Sequence, residues 1–508
     1  MNKKLMLFVV AIALATASPL AAQTHHHYKL IDVGTFGGPG SFGADPPAPR
    51  PLNNLGIVVG GADTATPDAN FPNLCLYCGP NIFHAFQFHN GVQADLGALP
   101  GANSSLASWV SDNGLIVGWS ENGAIDPLLG APELEAVLWK SGQIIGLGTL
   151  GGGYESVALA VNNRGEVVGV SSNLVPDVFG PLGTQNRVFL WKDGSMKDLG
   201  TLGGPDAGFL GLVGGVEINE AGQVVACSYT NSTANPVTGT PTLDPFLWQN
   251  GTMHDLGNLG GTSACATFIN NYGQVGGYST LAGDLEFHPF LWDRGTLKDL
   301  GTFGGDNGLA LWVNDAGHTV GRADITAVCA ECAPGNQRQL HHPFLWINGA
   351  LTDLGVVDSD TGGTGFSINS RDQVVGISVR CMQINPDDSC DGTVMHGFLW
   401  EAGSIVDLQR LIVTNSEITV NTASDINERG EIFGSGVLPD GDTHLVLLIP
   451  CDEYHPNIEG CNYSLVAARS AEHGETQTVA KPALASDRIH RSRHSAALRS
   501  TPEAQVSK

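Results

Sequence analysis

The sequence predicts an all-β fold: an eight-bladed β-propeller of four-stranded blades, closed by an N-terminal strand that completes the last blade. Three observations predict it. A hairpin phrase recurs, as RVFLWKDGSMKDLGTLGG at 187, DPFLWQNGTMHDLGNLGG at 244, HPFLWDRGTLKDLGTFGG at 288 and HPFLWINGALTDLG at 342, with weaker copies at 84, 136 and 396. A second phrase alternates with it, as in VNNRGEVVG at 161 and INERGEIFG at 426. The strand count then leaves one strand unpartnered at each end of the repeat array.

Each hairpin copy carries a two-residue turn ending in glycine, from Asn90-Gly91 and Ser141-Gly142 to Asn348-Gly349 and Ala402-Gly403. Such a turn needs positive φ at both central residues, which Asn-Gly and Asp-Gly supply at least cost. The turn fixes the register. It places Lys192 opposite Ser195, Trp191 opposite Met196 and Phe189 opposite Asp198. The same register sets Trp248 against Met253, Trp292 against Leu297, Trp346 against Leu351 and Trp400 against Ile405. Every tryptophan therefore meets an aliphatic side chain, which supports the pairing independently of the turn. Phe and Trp share one face and the intervening Leu takes the other. A strand apolar on both faces must be covered on both, so each hairpin belongs to a stack of sheets.

The second phrase reads as strand, four-residue turn, strand, and occurs eight times, at 52, 110, 161, 218, 269, 313, 368 and 426. Asn at the first turn position and Gly at the fourth are type I turn preferences; Asp372 is the main departure. Each unit of about fifty residues thus has four strands, A and B from this phrase and C and D from the hairpin, the repeat signature of a propeller. There are eight C strands, the last being HLVLLIP at 444, but only seven D strands follow one. YKLIDVG, residues 28–34, matches a D strand without a preceding C. It is expected to pair with the last C strand, which also removes an exposed sheet edge.

The chain has 508 residues with 50 Asp and Glu against 24 Lys and Arg. Residues 1–22 have the charge, short apolar run and small-residue end of a signal peptide, and the run is too short to span a bilayer. Secretion to the periplasm or the extracellular space is expected, with no transmembrane segment. Residues 23–27 are expected to be a flexible mature N-terminus, residues 28–461 the propeller, and residues 462–508 a disordered, mildly basic tail. The excess acid therefore sits in the repeats, which argues against a nucleic-acid partner.

Ten cysteines in an exported chain point to disulfides. Cys75 with Cys78, Cys329 with Cys332, Cys381 with Cys390 and Cys451 with Cys461 are the local candidates. Cys227 and Cys265 are left between an inter-blade bridge and two small buried residues. The two CxxC pairs lie in different blades, so one tetrahedral zinc cannot join them.

HAFQF at 84, the HPFLW copies and the IN..GQVVG phrase resemble the extracellular repeat family named HAF after its His-Ala-Phe motif. The resemblance covers roughly residues 28–450 and implies a secreted propeller-like protein; it brings no catalytic residues. The histidine is absent where Glu135, Arg187 and Asp244 stand.

No catalytic, cofactor-binding or metal-binding residue is assigned, and no cofactor is expected. Trp139, Trp191, Trp248, Trp292, Trp346 and Trp400 are expected to be inter-blade core rather than a sugar platform. Asp198, Asp255, Asp299 and Asp353 recur at equivalent places and are expected to bond backbone. His84, His288, His342 and His396 are expected to hydrogen-bond within their own blades, because packed sheets about 10 Å apart cannot share one ion. In a propeller the D–A and B–C connections share one rim, and the tight turns share the other. The irregular loops therefore mark the binding face. The function expected is a secreted, monomeric binding or scaffold module recognising protein or glycan there. The alternatives are an extracellular hydrolase, lyase or quinoprotein-like enzyme with a site at the channel mouth, and a structural envelope protein.

Overall fold

The computed structural model describes residues 25–43, 50–71, 79–180, 183–208, 215–328, 339–384 and 390–463. The leader at 1–22, the pairs Cys75/Cys78 and Cys329/Cys332, and most of the tail lie outside them. The architecture is all-β, and its helical content among the described residues is two short 3₁₀ turns, Leu150–Gly152 and Leu408–Leu411. Five separate sheets each contain four antiparallel strands. A further twelve strands form three more four-stranded units joined by single parallel pairings, Leu243 with Ser263 and Phe287 with Asn307. These are sheets of the propeller-blade type, stacked face to face.

The hairpins have the register their turns dictate. Asp193 and Gly194 sit at φ 49° and 82°, and the pairs Phe189–Asp198, Trp191–Met196 and Lys192–Ser195 follow. Arg294 and Ala402 also adopt positive φ, although neither favours it. The phenylalanine of each FLW, such as Phe189, Phe246, Phe290, Phe344 and Phe398, is fully buried, worth roughly 2–3 kcal/mol apiece. The tryptophans lie at the seams between units. Trp139 Nε1 donates to the Leu96 carbonyl of the preceding unit at 3.0 Å, and Lys197 and Lys298 cover the next unit's Trp248 and Trp346.

The glycine of the VVG phrase has a reason the turn rules do not supply. Strand A carries a bulge in most units, for example between Ala158 and Ala160 and between Ala310 and Trp312. The bulged backbone presses onto strand B there. A Cβ on Gly169, Gly321 or Gly376 would collide with the carbonyl oxygen of Val157, Leu309 or Thr364. Strand A is described only in part in two units. Among the described residues, the first unit has Gly37–Phe42 and a bridge at Leu52, and the fourth has Glu217–Ile218 and a bridge at Ala207. That fourth unit is where Ala226 replaces the glycine.

Tyr28–Asp32 pairs antiparallel with Thr443–Pro450, from Tyr28 opposite Pro450 to Asp32 opposite Val446. The expected flexible N-terminus is in part seated. His26 donates its backbone N–H to Glu401 at 2.8 Å and sets Nδ1 2.9 Å from the same carboxylate, while His25 Nε2 meets Ser404 Oγ at 3.0 Å. The first tail residues are also held, because the Tyr463 hydroxyl donates to the His455 carbonyl. Cys451 bonds Cys461, and Cys227 bonds Cys265 across two adjacent units with Cα atoms 5.1 Å apart. Cys381 is disulfide-bonded too; the Cys390 side chain lies outside the described residues.

Candidate functional site

Two ends of the sheet stack carry different chemistry. At the turn end, the asparagine that opens each A–B turn does more than cap its own backbone. Asn162 Oδ1 accepts from the N–H groups of Arg164 and Glu166, each at 3.1 Å. Its Nδ2 donates to the Asn219 carbonyl of the next unit. The same step is repeated from Asn219 to Asn270, Asn270 to Asn314, Asn314 to Asn369 and Asn369 to Asn427. Asn427 donates in turn to the Asn53 carbonyl of the first unit at 2.9 Å, and Asn53 to the Ser111 carbonyl. Where Ser111 replaces the asparagine, Asn113 Nδ2 reaches the Asn163 carbonyl at 2.7 Å instead. This end is stitched together and offers few loose groups.

The loop end holds the B–C and D–A connections and a set of buried carboxyls that sequence reasoning missed. Asp63, Glu121 and Asp324 lie midway along the long B strands Val58–Pro67, Ile116–Ile125 and Thr319–Val328, and accept backbone N–H groups on or just before strand A, from Gly40, from Asn103 and Ser104, and from Asn307. In the third and fourth units the acid comes from strand A: Glu155 accepts from Leu134 N–H at 2.8 Å, and Asp206 from Asn186 N–H at 2.6 Å. Each of these acids bonds backbone at a unit's edge, in the way a hydroxyl does in the equivalent place at Ser104. For the three on strand B the sequence signal was an acid three places past the glycine of the B phrase, at Gly60, Gly118 and Gly321, too weak to separate from a solvated loop.

Burial raises these carboxyls. It lifts Asp63 and Asp324 to about 6. Glu155 is pushed up to about 8 by burial, reinforced by the Asp126 and Glu133 carboxyls facing it. Asp206 rises to about 7 by burial and by its contact with Asp177, against a partial opposing pull from Arg187. Among the described residues, Glu155 Oε1 and Asp206 Oδ2 have no hydrogen-bond partner. Burial therefore disfavours the anion at each of these acids, which lie just beneath the loop surface.

The repeated residues behave as scaffold. Asp198, Asp255, Asp299 and Asp353 each accept the N–H of the glycine two residues on. His84, His288 and His342 set Nδ1 2.9 Å from Asp95, Asp299 and Asp353, and His444 does the same with Asp32 across the N-terminal pairing. His396 differs, reaching Asp360 in the preceding loop at 2.8 Å. Where Arg187 stands instead, it pairs with Asp198. Among the described residues no cluster of three or more His, Cys, Asp or Glu could hold a metal ion, and no helix is long and apolar enough to cross a membrane.

No family model matches the chain, and no curated protein matches it. Among solved structures it is similar to a puromycin-hydrolyzing peptidase of Mycobacterium tuberculosis, at 12% identity and a TM-score of 0.39, over 80% of this chain and 62% of that one. The chain thus spans under two thirds of that peptidase. It is similar to the β-propeller domain of the Trilobed protease from Pyrococcus furiosus at 9% identity and a TM-score of 0.39, over 68% of this chain and 94% of that domain. It is also similar to TolB from Acinetobacter baumannii at 11% identity and a TM-score of 0.29, over 66% of this chain and 79% of that one.

Proposed function

We propose that the chain is a secreted, eight-bladed ring that binds a protein or glycan partner through its loop-bearing rim. The observation that carries this reading is the contrast between the two ends. The turn end is tied by unit-to-unit hydrogen bonds, whereas the loop end gathers most of the exposed large apolar side chains, including Ile125, Leu128, Leu174, Val178, Leu285 and Met382. Exposed apolar groups beside polar rims are where partners dock. Ring closure is supported by the asparagine step from unit eight back to unit one and by the pairing of Tyr28–Asp32 with Thr443–Pro450. Export rests on the leader-like residues 1–22, and membership of the HAF repeat family on the recurring phrases. An enzymatic reading would need an acid that reaches substrate; Glu155 and Asp206, with the most raised carboxyls, lie buried beneath the loops. Glycan and peptide arrays probed with residues 23–508 test the proposal. Binding lost on substitution of loop-end residues supports it, and silence on both arrays, or binding confined to the turn end, refutes it.

A further inference from the structure

We infer that the loop end of units two and three docks a cationic amphipathic peptide segment of a partner protein. The inference rests on the binding-module reading above and narrows it to one sector and one chemistry. Residues 51–139 contain no lysine or arginine, yet carry Asp63, Glu121, Asp126 and Glu133 towards the loop end. Asp177 of the third unit and Asp206 at the start of the fourth continue the series, with Arg187 as the cation beside them. The other cations of these two units are engaged elsewhere: Lys140 and Lys192 adjoin the hairpin turns, Arg164 lies in an A–B turn, and Lys197 on strand D covers the Trp248 ring of the next unit. Charge is therefore sorted along the strand direction, with acid left unbalanced where the loops are.

The same sector presents aliphatic tips. Leu128 is 58% exposed and Val178 is 90% exposed, with Ile125, Leu129, Leu174 and Val175 beside them in sequence. The two loops flank one segment. Asp126 of the first faces Glu155, and Leu174 of the second lies against Gly152, so residues 150–155 are bracketed between them. The loops are also built rather than loose. Asp126 Oδ1 accepts from Leu128 N–H at 2.6 Å, Gly130 N–H returns to the Asp126 carbonyl at 2.8 Å, and Asp177 N–H donates to the Gly183 carbonyl at 3.1 Å. Their exposed tips are leucine, isoleucine and valine, and the nearby aromatics, Tyr154 and Phe179, are half-buried, Phe179 edge-on to Tyr229. Apolar projections over uncompensated carboxyls match a segment that alternates lysine or arginine with aliphatic residues. Each cation gained there relieves a buried acid as well as a surface one.

The test uses residues 23–508 and a fluorescein-labelled, fourteen-residue lysine/leucine peptide read by anisotropy, beside a peptide with every leucine replaced by serine. The triple variant Leu128→Ser, Leu129→Ser, Val178→Ser changes exposed side chains only; Leu55→Ser with Tyr272→Ser is the turn-end control. Expected are salt-sensitive binding of the lysine/leucine peptide, at least tenfold weakening in the triple variant, wild-type affinity in the control, and at least tenfold weaker binding of the lysine/serine peptide. Equal binding of both peptides, an unaffected triple variant, or binding of phosphatidylcholine vesicles through the same residues would overturn the inference. If the peptide fails but an array ligand is lost in the triple variant, this inference falls and the binding-module reading stands. If no array ligand touches the loop end, both fall.

Discussion

Replacing Glu155 by glutamine keeps an acceptor for the Leu134 N–H and removes a carboxyl that must shed its proton inside a seam between units. Its folded pKa is about 8 against 4.5 for the free group, because burial and the facing Asp126 and Glu133 carboxyls disfavour the anion. The folded chain therefore binds more protons than the unfolded chain between these values, and stability falls as pH rises through that window. Each tenfold difference in proton affinity between the two states is worth about 1.4 kcal/mol, so the loss between pH 5 and pH 8 is about 3 kcal/mol. With an unfolding entropy of about 2 cal/mol/K per residue, that corresponds to about 3 °C for a chain of this size. Calorimetry should show Glu155→Gln melting about 3 °C above the wild type at pH 8 and within about 1 °C of it at pH 5. Equal differences at both pH values, or none, would mean that Glu155 is not an uncompensated acid.

Gly169→Ala and Gly321→Ala should each cost about 2–3 kcal/mol in urea unfolding, since the added methyl meets the bulged strand, whereas Ala226→Gly should be close to neutral. Asn427→Ala removes two capping bonds and the link to Asn53 and should cost about 3 kcal/mol; Asn427→Ser, the residue the second unit uses at Ser111, should cost visibly less by the same assay. Although burial opposes it, the carboxylates of Asp452 and Glu431 hold the His455 imidazole above its ordinary value. The stabilisation this gives is complete below about pH 6.5 and is lost as pH rises through the folded pKa. The melting difference between His455→Gln and wild type should therefore shrink above neutrality. Cys227→Ser should lower stability by about 3–4 kcal/mol, the loop-closure value for a separation of 38 residues.

The hairpin registers, the strand order within each unit and the pairing of residues 28–32 with the last C strand could be read from the sequence. Each follows from local rules: a two-residue turn admits one register, alternation admits one face, and a missing D strand leaves one edge to fill. Local chemistry also foretold the backbone bonds of Asp198, Asp255, Asp299 and Asp353, each made to a glycine only two residues away. Glycine in VVG, by contrast, answers to a bulge on a neighbouring strand, and the turn asparagines spend their second hydrogen bond on a unit some fifty residues on. The raised carboxyls of Glu155 and Asp206 depend on Asp126 and Asp177, which local spacing cannot bring beside them. A side chain's charge is written in the sequence, but its cost is set by which other unit excludes water from it, and only packing decides that.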